Sequence, residues 1–340
     1  MGTYSSLWLY YVTVIITFSV IGLSSPASVE ELFEDFVHKY KKSYVRGSSE
    51  YRQRLSNFEK SLQRHKTLNQ LSSHPQDAIY GVTKFSDLTP EEFYEQILGY
   101  SQGVNNSQIH LKSSILLVSL PKGPKSFDLR KQKWPVITPV KDQKKCGGCW
   151  AFSITETLET QYALKHKVLY TLSEQQLIDC TVGEGNDGCK GGDIVRTARW
   201  LNNTKTKITT EKKYPFIDKT GSCHKLKKSD GKVGITDYSY QSFINEEFQM
   251  ADLVASHGPL TVAVDAVSWQ DYLGGIIQHH CYAHDDNHAV QIIGYDKTGP
   301  VPYFIVRNSW GKNWGLNGYL HVKIGGNLCG IANSVVTVSV

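Results

Sequence analysis

The spacing of apolar positions divides the chain into stretches of different character. Leu7 to Leu23 is a nearly continuous apolar run without a charge. Over residues 29–71 the period becomes helical: Leu32, Phe33, Phe36, Val37 and Tyr40 recur at i, i+3 and i+4, and so do Tyr51, Leu55, Phe58 and Leu62. Val45-Arg46-Gly47-Ser48-Ser49 between the two sets reads as a turn. Thr89 followed by Pro90 predicts a helix start, with Thr89 as N-cap. Residues 101–126 have little pattern and contain Gly103, Pro121, Gly123 and Pro124, as a linker would. Beyond it, Cys149 to His166 carries Ala151, Ile154, Leu158 and Tyr162 on one helical face. Residues 180–235 are rich in Gly and Lys without a sustained period. From 260 onward strands dominate: Leu260, Val262 and Val264 alternate with more polar neighbours, and Val290 to Tyr295, Tyr303 to Val306 and Tyr319 to Ile324 are short β-rich runs. Helices first and strands later predict an α+β architecture, and no internal repeat is visible.

Composition narrows the class. A length of 340 residues suggests about two folding units. Charged residues at 20% and hydrophobic ones at 40% exclude a largely disordered chain, a collagen-like repeat and a polytopic membrane protein. The net charge of +5, from 37 basic and 32 acidic residues, is too mild and scattered to argue for a nucleic-acid partner. The N-terminal apolar run, closed by Gly22, Ser24, Ser25 and Ala27, predicts a secretory signal peptide over 1–24. Its first residues lack Lys and Arg and its length approaches a span, so an uncleaved signal anchor is the alternative. No second run of about 18 apolar residues follows, so no membrane contact is expected once the signal is removed. A secretory route permits disulfides. It also makes Asn105 and Asn202 glycan acceptors, in Asn105-Asn106-Ser107 and Asn202-Asn203-Thr204. Seven cysteines is an odd count, which in such a protein implies a free thiol or an intermolecular bridge.

The densest candidate chemistry lies in Gln143-Lys144-Lys145-Cys146-Gly147-Gly148-Cys149-Trp150. Cys149 opens the predicted helix, where exposed N–H groups and the helix dipole favour an anion, so its thiol pKa is expected to fall. A nucleophilic thiolate needs a base, and the base an orienting partner. Asn287-His288-Ala289-Val290 and Asn308-Ser309-Trp310-Gly311 supply them, 139 and 159 residues beyond Cys149. The first separation falls within, and the second just beyond, the ~130–150 residues expected of papain-type Cys/His/Asn enzymes. On these motifs the chain resembles the papain-like cysteine peptidases over nearly its whole length after the signal.

The resemblance implies a two-lobed fold, with a helical lobe and a β-barrel-like lobe, preceded by a helical inhibitory propeptide. The propeptide would span 25–119, with a core at about 29–93, and the mature peptidase 120–340. Cys149 would be the nucleophile, His288 the general base and acid, and Asn308 the acceptor that orients the imidazole. Trp310 would shield that hydrogen bond, and Gln143 with the Cys149 N–H would hold the oxyanion. Disulfides Cys146–Cys189, Cys180–Cys223 and Cys281–Cys329 are implied by the family alone, since six cysteines permit 15 connectivities. The substrate pocket would include Asp193, Ile194, Ala263, Ala289 and Ser334, beside Trp310. Asp193, unusual among apolar neighbours, suggests tolerance of a basic side chain at P2, the substrate residue one before that whose carbonyl is attacked. Without a His-rich insertion between Cys149 and Cys189 to occlude the cleft, endopeptidase action on peptides is expected. The implied partners are peptide substrates, the chain's own propeptide and cystatin-like inhibitors. A monomer without cofactor or metal, in the lysosome or secreted, completes the expectation.

Departures from the family pattern are visible. Gly148 replaces Ser or Ala before the nucleophile, and Leu129 a Trp near the mature start. In the propeptide, Glu50, Arg54, Phe58 and Asn69 match its helical motif, while Ser61 and His65 replace Asn and Ile. Gly81-Val82-Thr83-Lys84-Phe85-Ser86-Asp87 resembles its second motif, with Thr83 in place of Asn. Blander readings stand beside these. Cys146-x-x-Cys149 is also the pattern of a redox dithiol or half a zinc site. His279, His280, His284 and His288 could gather a metal, and the helix at Cys149 would pack a core even in an inactive binding protein.

Overall fold

A computed structural model describes residues 28–101 and 120–340. The signal segment and Asn105 lie outside these described residues.

The first helices follow their caps and apolar stripes. Helix α1 (Val29–Lys39) starts at Ser28 in a capping box with Glu31, and α2 (Ser49–Asn69) at Ser48, whose hydroxyl accepts from the Tyr51 N–H. They pack through Phe33, Phe36, Tyr51 and Phe58, all nearly fully buried, into a small aromatic core of their own. Helix α3 (Pro90–Ile97) begins at Thr89 in a second capping box, with Pro90 in its first turn. Arg54 on α2 reaches both the Asp87 carbonyl at 3.0 Å and Glu92 on α3 at 2.9 Å. Asn69 exchanges two hydrogen bonds with the backbone of Tyr80 in strand β1 (Ile79–Tyr80). The matched motif residues therefore tie the helical segment to itself.

Ser61 donates within its own helix, to the Phe58 carbonyl, but the other two departures tie the segment to the rest of the chain. His65 Nε2 and Arg64 Nε lie 2.9 and 2.5 Å from the carboxylate of Asp271. Thr83 donates to the Gln270 carbonyl at 2.6 Å, where the family pattern has Asn. Strand β1 pairs antiparallel with β5 (Tyr272–Gly274).

One lobe is built on α4 (Cys149–His166), α5 (Glu174–Cys180) and α6 (Ile194–Thr204). The buried Trp150, Ile154, Leu158, Leu177, Val195 and Leu201 form its core. The sheet runs β3 (Asp237–Gln241), β10 (Val335–Ser339), β4 (Leu260–Val264), β7 (His288–Asp296), β8 (Tyr303–Arg307), β9 (Tyr319–Lys323) and β6 (Ile276–Ile277). Helix α7 (Glu247–His257) packs beside it, and β2 (Ser126–Asp128) pairs with the second half of β7. The strand-rich lobe agrees with the expected fold, though among the described residues its sheet is not a closed barrel, because β3 and β6 end the path without pairing with each other. The long β7 pairs with β4 along its first half and β2 along its second, so one strand serves two partners in turn. Gly294 permits this, since a Cβ there would stand 2.3 Å from the Phe127 carbonyl oxygen.

Disulfides join Cys146 to Cys189, Cys180 to Cys223 and Cys281 to Cys329, leaving Cys149 as the free cysteine. Cys146 is thereby unavailable as a dithiol partner for Cys149. Among the described residues no helix is long and apolar enough to cross a membrane.

Truncating Phe33, at 0% exposure in the aromatic core, is expected to cost the helical segment about 3–5 kcal/mol. The Phe33→Ala chain should show an early urea transition by circular dichroism, separate from that of the remaining fold. A single transition unchanged from the parent would contradict this.

Candidate active site

Cys149 is the first residue of α4, placed there by Gly148, whose φ of −92° is open to any residue. A Cβ there would stand 3.1 Å from Ile178 Cδ1 and 3.3 Å from Cys146 Sγ, so a side chain would ask both to give by a few tenths of an ångström. His288 opens β7 and Asn308 follows β8, and the antiparallel pairing of those strands brings the two together. His288 Nε2 donates to Asn308 Oδ1 at 2.8 Å, and Oδ1 also accepts from the Ser309 N–H. That leaves Nδ1 as the basic nitrogen, buried and without a hydrogen bond. The Trp310 ring lies 4.8 Å from the imidazole at 31°, and Trp269 stands edge-on at 6.4 Å.

Gln143 is held from two sides: its N–H donates to the Ser309 carbonyl, and its Oε1 accepts from the Ser309 hydroxyl at 2.6 Å. This fixes which way Nε2 points. It donates to the carbonyls of Ile97 at 2.8 Å and Cys146 at 2.9 Å. Behind Gln143, the buried Lys141 ammonium pairs with Glu159 on α4 and Glu174 on α5.

The segment after α3 fills the cleft. Ahead of that segment, Phe85 and, within α3, Phe93 both meet the Trp310 ring near-perpendicular, at 5.4 and 5.3 Å. The Gly192 N–H donates to the Gly99 carbonyl at 2.9 Å, Tyr100 donates to the Asn287 carbonyl at 3.0 Å, and Ser101 to the Gly192 carbonyl at 3.1 Å. The bridge between Tyr100 and Gly192 is parallel. Of the expected pocket residues, Asp193, Ile194, Ala263, Ala289 and Ser334 are all essentially buried, and Ala263 and Ala289 are register partners across β4 and β7. Tyr100 belongs to the same apolar cluster, and its hydroxyl lies 3.4 Å from Asp193 Oδ2.

This covering reverses the expected thiol chemistry. N–H groups of Ala289, Gly99, Trp150 and Cys149 itself favour the thiolate, but burial outweighs them and pushes the thiol up to about 11. Burial likewise lowers His288 to about 4, against the pull of Asn308. In the covered cleft both partners are therefore neutral at pH 7. His280 Nε2 lies 2.9 Å from the Leu68 carbonyl oxygen, and among the described residues no cluster could hold a metal. Asn202 sits half-buried near the end of α6, its side chain accepting from Lys205.

Sequence reasoning did not single out Ile97, Tyr100, Ser309 or Trp269. No local pattern marks Ile97 or Tyr100; only the pairing with Gly192 and Gln143 gives them a place.

The comparisons agree with the geometry. The family model described as papain family cysteine protease matches residues 123–339, and that of the cathepsin propeptide inhibitor domain matches residues 33–93. Cathepsin O of Homo sapiens is 47% identical over 287 residues, covering 83% of this chain and 87% of that protein. Cathepsin O of Mus musculus is 47% identical over 281 residues, or 82% and 88%. Digestive procathepsin L 3 of the Tenebrio molitor larval midgut superposes with a TM-score of 0.80 at 30% identity, covering 93% of this chain and 100% of that one. The stem bromelain precursor gives 0.76 at 30% identity, covering 92% and 99%.

With the thiol raised to about 11, roughly one molecule in ten thousand carries a thiolate at pH 7. Iodoacetamide should label Cys149 at least about 100-fold more slowly in the intact chain than after removal of residues 1–119. Equal labelling rates, read by mass spectrometry, would show that the segment does not cover the thiol.

Proposed function

Because the chain belongs to the papain family of cysteine proteases and carries a cathepsin propeptide inhibitor domain ahead of its peptidase, we propose that it is the zymogen of an endopeptidase in which Cys149, His288, Asn308 and Gln143 carry the reaction. In this reading His288 Nδ1 takes the Cys149 proton, the sulfur attacks the peptide carbonyl, and the oxyanion is held by Gln143 Nε2 and the Cys149 N–H. The imidazolium returns its proton to the leaving amine. Water, activated by the same nitrogen, then releases the acyl group. Asn308 keeps the Nε2 proton in place and so reserves Nδ1 for the sulfur, while Trp310 keeps water from that bond.

The observation that carries the reading is the bond from Gln143 Nε2 to the Ile97 carbonyl. In this reading a carbonyl rests where an oxyanion would form, yet it is not presented for attack. The order of residues supplies a reason. In a productive substrate the residue in the Asp193 pocket precedes the attacked carbonyl, since the acyl part is N-terminal to the scissile bond. Here Tyr100 follows Ile97, and the thiol faces the Gly99 N–H, which offers no carbon to attack. Residues 25–119 thus act as a propeptide that blocks the cleft in reverse, and residues 120–340 as the mature enzyme.

The wider setting belongs to the same proposal. Residues 1–24 direct the chain into the secretory pathway, where the disulfides form and Asn105 and Asn202 can be glycosylated. The enzyme acts as a monomer in the lysosome or outside the cell, on peptide and protein substrates, and cystatin-like inhibitors would compete for its cleft.

Cys149→Ala is expected to abolish peptide cleavage. Gln143→Ala should lower kcat by about 10²–10³ with propeptide inhibition also weakened. Cleavage by the Cys149→Ala chain, in a peptidase assay, would overturn the assignment.

Acid should loosen the closed form. His288 has a lower pKa when covered, about 4, than its ordinary 6.5, so the covered state binds fewer protons than an open one. Its advantage is complete above about pH 6.5 and declines by up to tenfold per unit as pH falls toward about 4. The propeptide supplied in trans should inhibit the processed enzyme at least about tenfold more weakly at pH 4.5 than at pH 7. An inhibition constant unchanged over that range would remove His288 from the trigger.

A further inference from the structure

The net charge of +5 is less scattered than the whole-chain total suggests. Residues 205–232 hold nine lysines against three acidic residues, a net +6, while the other 28 basic and 29 acidic residues of the chain nearly cancel. The fold gathers part of this excess around a groove of about 550 Å3 on the helical lobe. Two segments line it: the one that follows α6, with Lys205 and Lys207, and the one after Cys223, with Lys225, Lys227 and Lys228. All five lysines are exposed. Lys205 donates to the Asn202 side chain. Among the described residues the other four make no ion pair, and the one salt bridge within 205–232 joins Lys213 to Asp230 at 3.6 Å. Both segments are fixed. The Cys180–Cys223 disulfide binds the second to α5, the His224 N–H donates to the Tyr214 hydroxyl at 3.2 Å, and the Lys232 N–H donates to the Ile208 carbonyl at 2.9 Å. Trp200 and Leu226, both half-buried, add apolar surface to the same lining.

Ammonium groups gathered around one concavity repel one another, a cost that an anionic partner removes. The shape narrows which anion. A groove takes a chain, whereas an anionic bilayer would bridge its rims and leave it empty. Single-stranded nucleic acid rests on successive aromatic platforms, and this lining offers a single indole. The three disulfides suit an oxidising compartment, where sulfated sugars are the abundant polyanions. Sugar rings lay their apolar C–H faces on an indole and carry their sulfates at the edge, within reach of long lysine side chains. We propose that this groove binds a linear sulfated polysaccharide, with Lys225, Lys227 and Lys228 as its principal anion contacts. No lining residue belongs to the cleft between Cys149 and His288, so a bound chain leaves the cleft free. The site goes beyond the peptidase reading and stands or falls without it.

The test titrates a heparin oligosaccharide into the full-length zymogen and follows binding by calorimetry. Affinity should fall at least about tenfold between about 50 and 200 mM salt, as counterion release from a polyanion requires. Lys225→Gln, Lys227→Gln and Lys228→Gln together should weaken binding at least about tenfold at the lower salt. Lys212→Gln, Lys213→Gln and Lys219→Gln together remove the same charge from the same segment but outside the groove lining. That control should weaken binding less than about threefold, since its charges act only through screened solvent. All six side chains are exposed, so both variants should fold. Both processed enzymes should cleave a short peptide with the kcat/KM of the parent, and a fall confined to the groove variant would overturn the separation of groove and cleft. No heparin binding at the lower salt, or equal losses in the two triple variants, overturns the inference. Tighter binding of single-stranded DNA of equal charge, or of a phosphatidylserine vesicle, overturns it in favour of those partners.

Discussion

One indole holds the molecule's parts in relation. Trp310 covers the bond between His288 and Asn308, and it crosses Trp314 at 4.7 Å in the core of the strand-rich lobe. Its outer surface receives Phe85 and Phe93 from the propeptide. The aromatic surface that keeps the imidazole dry is thus the one on which the inhibitor is seated. Uncovered, the same indole would present an apolar platform to whatever fills the cleft. Propeptide residues from Ala78 to Leu98 consequently join the same apolar cluster as Trp269 and Val290. Inhibition in this fold is an extension of core packing.

The electrostatics follow from that covering. A thiol at a helix N-terminus and an imidazole oriented by an amide would favour the charged pair in water. Under Ile97 to Tyr100 the same groups lose their hydration, and burial dominates every hydrogen bond that favours charge. The bond from His288 to Asn308 and the hold of Ser309 on Gln143 are in place in the covered form, and what the covering withholds is solvent. Gln143 illustrates the economy of this arrangement, since Ser309 fixes its amide in the covered form by the contacts that would serve an open one.

Much of this was legible in the chain. Local signals located the helices, because capping residues and 3.6-residue periods act within a few positions: Thr89-Pro90 and the Cys149 helix stand where their caps place them. The positions of Cys149, His288 and Asn308 pointed to one site because short motifs bracket each of them. The open sheet was not legible, since whether β3 meets β6 depends on curvature set by many packed residues and by Gly294, not by any alternation along a strand. The direction of the thiol's pKa was also missed. It is set by the burial of the sulfur in the folded chain, which no pattern around Cys149 announces.

Asp271 receives two successive residues of one helix, Arg64 and His65. Adjacent helical positions point about 100° apart, so a carboxylate that engages both fixes the rotation of α2 about its axis as well as its position along it. A propeptide carrying isoleucine at the second place would offer this enzyme only half of that grip and bury an apolar branch against a charge. Such a segment would be held to Asp271 by Arg64 alone, and its rotation about the helix axis would lose the second point that fixes it.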